Sequence, residues 1–212
     1  MNQNTNFSMK TIGKYLRELS VIVVGVTITA TVGIFMNNNS NRKDLKQYLH
    51  TIKLELENNI ESIDREIDFF GQMVKYARYL ESNDKKSLNS DSISSYQYVI
   101  HRLRIVTYKT NAFEMFKTSG TMRLLGNKDL LLYVWEAYSV LEHYKLLLDT
   151  IYQIKKEEAL KDLQLQREGK TDVAPMNDFY SIHGDDLYEI MLNMKSISNG
   201  LRELVEMLNK TL

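Results

Sequence analysis

The distribution of apolar and charged positions separates a short uncharged segment from a long region of helical spacing. Residues 19–36 read LSVIVVGVTITATVGIFM and contain no charged side chain. A helical segment needs about 20 residues to cross a hydrocarbon layer roughly 30 Å thick. The pattern therefore predicts a transmembrane helix over 19–36, preceded by a basic tail over 1–18. No A-x-A cleavage site follows, which favours a retained anchor over a cleaved signal peptide.

An asparagine-rich stretch, 37–43, is interpreted as a juxtamembrane linker, and a domain is predicted over 44–212. From Leu45 to Ala77 apolar residues recur every three or four positions. Such a stripe is typical of a helix that faces a core, and a self-associating stalk is the alternative. The stripe consists of Leu45, Leu49, Ile52, Leu56, Ile60, Ile63, Ile67, Phe70, Val74 and Ala77.

Helical spacing resumes at Ile93 and is predicted to continue through Phe113 and Phe116, although residues 99–108 also suit a strand. Asn127 is a predicted N-cap for a helix that ends near Arg167. Its predicted buried face is Leu131, Val134, Tyr138, Leu141, Lys145, Leu148 and Tyr152. A last helix, from Asp178 or Asp185 to Leu208, has the predicted face Leu187, Ile190, Met194, Ile197, Leu201, Leu204 and Leu208.

These elements predict an all-α protein, in which an N-terminal transmembrane helix precedes an antiparallel helical bundle of about four helices. The single proline and nine glycines fit long helices. The formal net charge is zero, so the chain lacks the basic surface that nucleic acid requires, and no nucleic-acid partner is expected. The absence of cysteine excludes disulfides and thiolate metal sites.

Basic residues flank the uncharged segment on both sides and bear on its orientation. Lys10, Lys14 and Arg17 precede it, while Arg42 and Lys43 follow it. Charges that lead into a long translocated domain count for less than those of a short tail, which favours an N-terminus inside the cell. The resulting prediction is a single-pass protein of a bacterial inner membrane, in contact with lipid, whose domain lies outside the cytoplasm.

No pattern of catalytic or metal-binding residues is present. The four histidines are His50, His101, His143 and His183. None is preceded by glutamate three positions earlier, as a di-iron bundle requires, and the His-Glu-x-x-His, P-loop and Gly-x-Ser-x-Gly motifs are absent. His183 near Asp185 and Asp186 is read as an acidic turn, with a metal site as the alternative. We expect no enzyme activity, no cofactor and no metal.

Three sets of residues are candidates for binding. Gly25, Thr29 and Gly33 recur every four positions, so one face of the predicted membrane helix lets a second helix approach closely. Glu18 stands at the edge of the membrane, where it is expected among headgroups; a proton-linked carboxylate is the alternative. On the helix after Asn127, Trp135 and Tyr138 are candidates for a groove that holds a partner or a ligand.

Two blocks of residues resemble an uncharacterised family of small single-pass membrane proteins common in Bacteroidota. The first consists of Tyr15, Glu18, Gly25 and Asn37-Asn38. The second consists of Phe113, Phe116, Ser119-Gly120, Leu124-Leu125, Asn127-Lys128-Asp129-Leu130 and Tyr138. The resemblance implies a membrane anchor followed by a helical domain; it implies no activity, because none is established for the family.

Two functional hypotheses follow. The first is a non-enzymatic scaffold or interaction protein, which assembles as a homo-oligomer or with an envelope protein. The second is a ligand-sensing helical bundle outside the cytoplasm, which acts through a partner protein because a tail of about 18 residues is too short for an output module.

Overall fold

A computed structural model describes the backbone of residues 9–83, 90–170 and 175–212, and the side chains of 40–83, 93–170 and 176–212. The helices are α1 (Met9–Ser82), α2 (Ser90–His101), α3 (Asn111–Thr118), α4 (Lys128–Arg167) and α5 (Pro175–Thr211), with a short 3₁₀ turn at Thr121–Leu124. The described residues contain no β-strand. The predicted all-α class is confirmed.

The chain divides into two compact units, residues 1–47 and 48–212, which are treated separately. In the first unit the backbone is helical from Met9, and the predicted linker 37–43 is helical as well. The uncharged segment 19–36, with Glu18 before it, lies outside the residues whose side chains are described. Where side chains are described, no helix combines the length and the apolarity that crossing a membrane requires.

The second unit is built from three long helices, and side-chain contacts fix their directions. The Tyr138 hydroxyl donates to Glu55 at 2.7 Å and the Tyr152 hydroxyl donates to Glu66 at 2.9 Å. Residue numbers therefore rise together on α1 and α4, so these helices run parallel. By contrast, Ser198 of α5 donates to Asp64 at 2.7 Å while Arg78 reaches Asp185 at 2.9 Å. Hence α5 is antiparallel to both.

The predicted antiparallel arrangement is wrong for α1 and α4. These two helices run parallel because an extended crossover joins them. Residues 102–110 are not helical and run back along α1. The Arg104 guanidinium contacts Glu66 at 2.9 Å near one end, while Asn59 bonds Lys109 near the other. Their side chains alternate between inward and exposed positions. The predicted helical continuation to Phe116 is thus interrupted, and a new helix starts at Asn111.

The predicted faces of the two C-terminal helices are largely confirmed. On α4 the buried residues include Val134, Tyr138, Leu141, Leu148 and Tyr152, while Leu131 and Lys145 are only half-buried. On α5 the predicted residues are buried except Ile197, which is half-buried. Asn127 caps α4 as predicted, since its side chain accepts a hydrogen bond from the Leu130 amide at 3.0 Å. Helix α5 starts at Pro175, earlier than predicted.

Candidate functional site

An open pocket of about 360 Å³ lies between α3 and α4. Its floor is aromatic and its rim carries charged and hydroxyl groups. The lining residues are Tyr108, Thr110, Phe113, Glu114, Lys117, Trp135, Tyr138, Ser139, Leu141, Glu142 and Lys145. A concave site with an apolar floor and a few polar groups has the general form of a small-molecule site.

The floor of this pocket is a continuous set of three rings. Phe113 stacks on Tyr138, with ring centroids 4.4 Å apart and planes 5° from parallel. Trp135 is the third ring and meets Phe113 in an edge-on arrangement, with centroids 5.6 Å apart and planes at 83°. Trp135 keeps 48% of its surface exposed. A large and partly exposed indole beside two buried rings offers contact area to a ligand.

A buried carboxylate on α1 holds the floor in place. Glu55 accepts hydrogen bonds from the backbone amides of Ala112 at 2.9 Å and Phe113 at 3.4 Å, at the start of α3. It also accepts the hydrogen bond that the Tyr138 hydroxyl donates, so this one side chain joins α1, α3 and α4. A negative charge at a helix N-terminus is stabilising. Burial and the neighbouring Glu55 raise the pKa of Tyr138, which keeps this donor protonated.

The rim carries four charges, and three of them are paired. The Lys117 ammonium contacts Glu114 at 2.6 Å, and Lys145 contacts Asp149 at 2.6 Å. Lys117 also lies 4.9 Å from the centroid of the Phe113 ring and 5.6 Å from that of Trp135. Glu142 is exposed, and within the described residues it has no ion-pair partner.

A second group of buried polar residues fixes the far end of the crossover. The fully buried Lys155 donates to the carbonyls of Val99 at 2.6 Å and Arg102 at 2.8 Å, where α2 ends. Tyr180 donates to the same Val99 carbonyl at 2.9 Å. Burial lowers the pKa of Lys155 to about 7. Burial also raises the pKa of Glu66, which is paired with Tyr152 and Arg104 nearby.

Another groove, of about 350 Å³, runs between α4 and α5. Small residues, Ala137, Ser196 and Gly200, lie along it, and Tyr133 and Val140 leave apolar surface exposed at its edge. It runs along two helices, which is the geometry that a partner helix occupies in helix-in-groove recognition.

The candidate metal site at His183, Asp185 and Asp186 consists of two separate contacts in the structure. His183 bonds Asp186 at 3.1 Å, whereas Asp185 pairs with Arg78 at 2.9 Å. The two carboxylates thus have different partners. Across the part of the chain that the structure describes, no group of three or more His, Cys, Asp or Glu side chains is placed to hold a metal ion.

Of the predicted site residues, Trp135 and Tyr138 lie together in the pocket between α3 and α4. The side chains at 18, 25, 29 and 33 lie outside the described residues. Sequence reasoning missed Glu55, which organises the pocket, and Lys155, which organises the crossover. The signal for Glu55 was its helical spacing from Asn59 and Glu66, which form a buried row beside the apolar stripe of α1.

Comparisons of the chain with protein-family models, curated proteins and solved structures give no match. The resemblance to the Bacteroidota family therefore stays a prediction.

Proposed function

We propose that the chain is a ligand-binding helical bundle, tethered to a membrane by residues 19–36, that signals through a partner protein. The observation that carries the proposal is the aromatic pocket between α3 and α4. Its floor includes Tyr138, which is hydrogen-bonded through Glu55 to both α1 and α3. Occupation of the pocket would thus act on three helices through one buried carboxylate. The proposal assigns no catalytic step to the chain.

The membrane tether rests on the sequence. The segment 19–36 has the length and composition of a single helical pass. We place the 48–212 unit outside the cytoplasm of a bacterial cell, on the charge distribution around this segment.

Thermal unfolding of the full-length protein in a detergent tests the binding role. A library of small metabolites is screened for compounds that raise Tm, since a ligand that binds only the folded state stabilises it by mass action. The variant Ser139→Phe fills the pocket, and the matched control Thr150→Phe changes another exposed position of α4. We expect stabilisation of the wild type and the control only. The absence of any stabilising compound, or equal stabilisation of Ser139→Phe, would refute the proposal.

A second candidate function is the scaffold role, and a specific observation favours it. The groove between α4 and α5 combines small residues along its length with exposed apolar surface at Tyr133 and Val140. Exposed apolar patches of this kind mark interaction sites. In this role the chain assembles with itself or with an envelope protein, and the Gly25, Thr29 and Gly33 face contributes within the membrane.

A further inference from the structure

We propose that the pocket between α3 and α4 takes a small organic ammonium ion, held over the rings of Trp135 and Phe113 and beside Glu142. This inference rests on the proposed ligand-binding function and names the chemical class of the ligand.

The aromatic floor of the pocket already attracts a cation. The Lys117 ammonium lies 4.9 Å from the Phe113 centroid and 5.6 Å from the Trp135 centroid. Both distances are within the roughly 6 Å at which a ring face attracts a cation, and tryptophan is the strongest partner. The rings are thus arranged for a positive charge, and Lys117 is its internal occupant.

One negative charge remains on the rim of the pocket once the internal ion pairs are counted. Lys117 is neutralised by Glu114 and Lys145 by Asp149, each at 2.6 Å. Glu142 lines the same pocket and has no such partner within the described residues. The rim therefore keeps one negative charge, which complements an ammonium and repels a carboxylate or phosphate.

The Lys117 ammonium can leave the ring faces and make room for a ligand. Its side chain is 30% exposed and its carboxylate partner is 54% exposed, so the pair can move toward solvent together. A flexible four-carbon stem lets the ammonium leave the ring faces without moving α3. A bound cation thus replaces the lysine on the rings, while the lysine keeps its ion pair.

Choline and its uncharged isostere 3,3-dimethylbutan-1-ol provide the test. Trp135 is the single tryptophan of the chain, so its fluorescence reports on the pocket directly. The full-length protein is titrated in an uncharged maltoside detergent, and isothermal calorimetry confirms the binding. We expect choline to bind about tenfold more tightly than the isostere, which corresponds to a typical cation–π contribution. Equal affinities would overturn the ammonium assignment.

Three variants refine this test. Lys117→Met removes the internal occupant and is expected to tighten choline binding about threefold, whereas Glu142→Gln is expected to weaken it about threefold. Glu136→Gln is the matched control, because Glu136 lies on α4 but lines the other groove. Weaker binding in Lys117→Met, or equal loss in Glu136→Gln and Glu142→Gln, contradicts the proposed geometry.

The outcomes also separate this inference from the proposed function. If other compounds raise Tm through the pocket while choline does not bind, the ammonium assignment fails and the binding role stands. If neither choline nor any library compound binds at the pocket, both fail. A lysine-containing peptide that binds where choline does not would overturn the small-molecule assignment in favour of a protein partner.

Discussion

Lys155 and Glu55 are buried charged residues that bind opposite ends of two short helices. Lys155 donates to carbonyls at the C-terminal end of α2, and Glu55 accepts from amides at the N-terminal end of α3. Each charge has the sign that the helix end favours, and each supplies partners to backbone groups that a helix leaves unpaired. The two residues thus hold both ends of the crossover 102–110 against the long helices.

The first prediction concerns the effect of pH through Lys155. Burial lowers its pKa to about 7 in the folded state, against 10.5 for an ordinary exposed lysine. Between these values the unfolded chain binds more protons, so the free energy of unfolding rises with pH. The gain from pH 7 to pH 9 is about 2 kcal/mol, at roughly 1.4 kcal/mol per pH unit. Above about pH 10 the buried tyrosines reverse the trend, because burial raises the pKa of residues such as Tyr180 and only the unfolded tyrosines ionise there.

Urea denaturation at several pH values between 6 and 9, in an uncharged detergent, measures this slope. The variant Lys155→Met should lose the rise in stability, whereas Lys156→Met, at the exposed neighbouring position, should keep it. The same pH slope in wild type and Lys155→Met would show that Lys155 does not titrate in this range.

At the scale of elements, the long helices were predictable and the crossover was not. Spacings of three and four residues identify α1, α4 and α5, because each buries one continuous face over many turns. The crossover 102–110 was ambiguous, since Ile105 and Val106 suit either a helix or a strand. Tertiary hydrogen bonds decide its conformation. The Asn59 side chain accepts a hydrogen bond from the Lys109 amide and donates one to the Lys109 carbonyl, both at 2.8 Å. No local pattern reveals a partner fifty residues away.

The same reason explains how much of the candidate site was predictable. Trp135 and Tyr138 stand out as aromatic residues on a helix, and they do line the pocket. Phe113 comes from α3, and its position beside them depends on Glu55. A glutamate within an amphipathic helix reads as solvent-exposed, because its burial is tolerated only when distant donors satisfy it.

A second prediction concerns the attachment of α3 to α1. Glu55→Ala leaves the Tyr138 hydroxyl and two backbone amides without their acceptor, so we expect it to lower the free energy of unfolding by about 3 kcal/mol. Tyr138→Phe should lower the free energy of unfolding by about 1 kcal/mol. The double variant should lose less than the sum of the two single losses, because the two residues share a hydrogen bond. Glu61→Ala, which removes an exposed carboxylate of α1, is the control. A loss for Glu55→Ala no larger than the control's would contradict this attachment.

A third prediction uses the glycines inside the long helices. At Gly71 an added Cβ would lie 3.8 Å from the Met191 sulfur, an ordinary contact, and at Gly200 it would meet nothing within 4 Å. We expect Gly71→Ala and Gly200→Ala each to stabilise the fold by about 0.8 kcal/mol through helix propensity. At Gly184 the added Cβ would lie 3.0 Å from that of Ala77, so α1 and α5 would have to separate slightly and the gain should disappear.

Thermal unfolding of the three alanine variants compares these effects directly. Gly120→Ala should have the opposite effect. Gly120 has a φ of 71°, so an alanine there should destabilise the turn before the 3₁₀ segment by about 1 kcal/mol. A gain for Gly184→Ala equal to that for Gly71→Ala would show that α1 and α5 are not packed closely at Gly184.

At the scale of the whole molecule, the two proposed functions assign different roles to different surfaces. Ligand binding uses the pocket between α3 and α4, whereas assembly uses the groove between α4 and α5. Helix α4 carries both sites, because Ser139 and Glu142 line the pocket while Glu136 and Ala137 line the groove. Substitutions on this one helix therefore separate the two functions in the same protein.

The last prediction concerns assembly through the uncharged N-terminal segment. Replacement of Gly25 and Gly33 by leucine adds bulk to the face on which small residues recur, so we expect the oligomer to dissociate toward monomer. The matched control, Val23→Leu with Ile34→Leu, changes positions about 120–140° from Thr29, the centre of that face, by helical periodicity and should leave the assembly intact. Native mass spectrometry of the full-length protein in a mild uncharged detergent measures the stoichiometry. An oligomer of unchanged size in the glycine variant would exclude this face from assembly and would leave the groove between α4 and α5 as the surface that joins copies or partners.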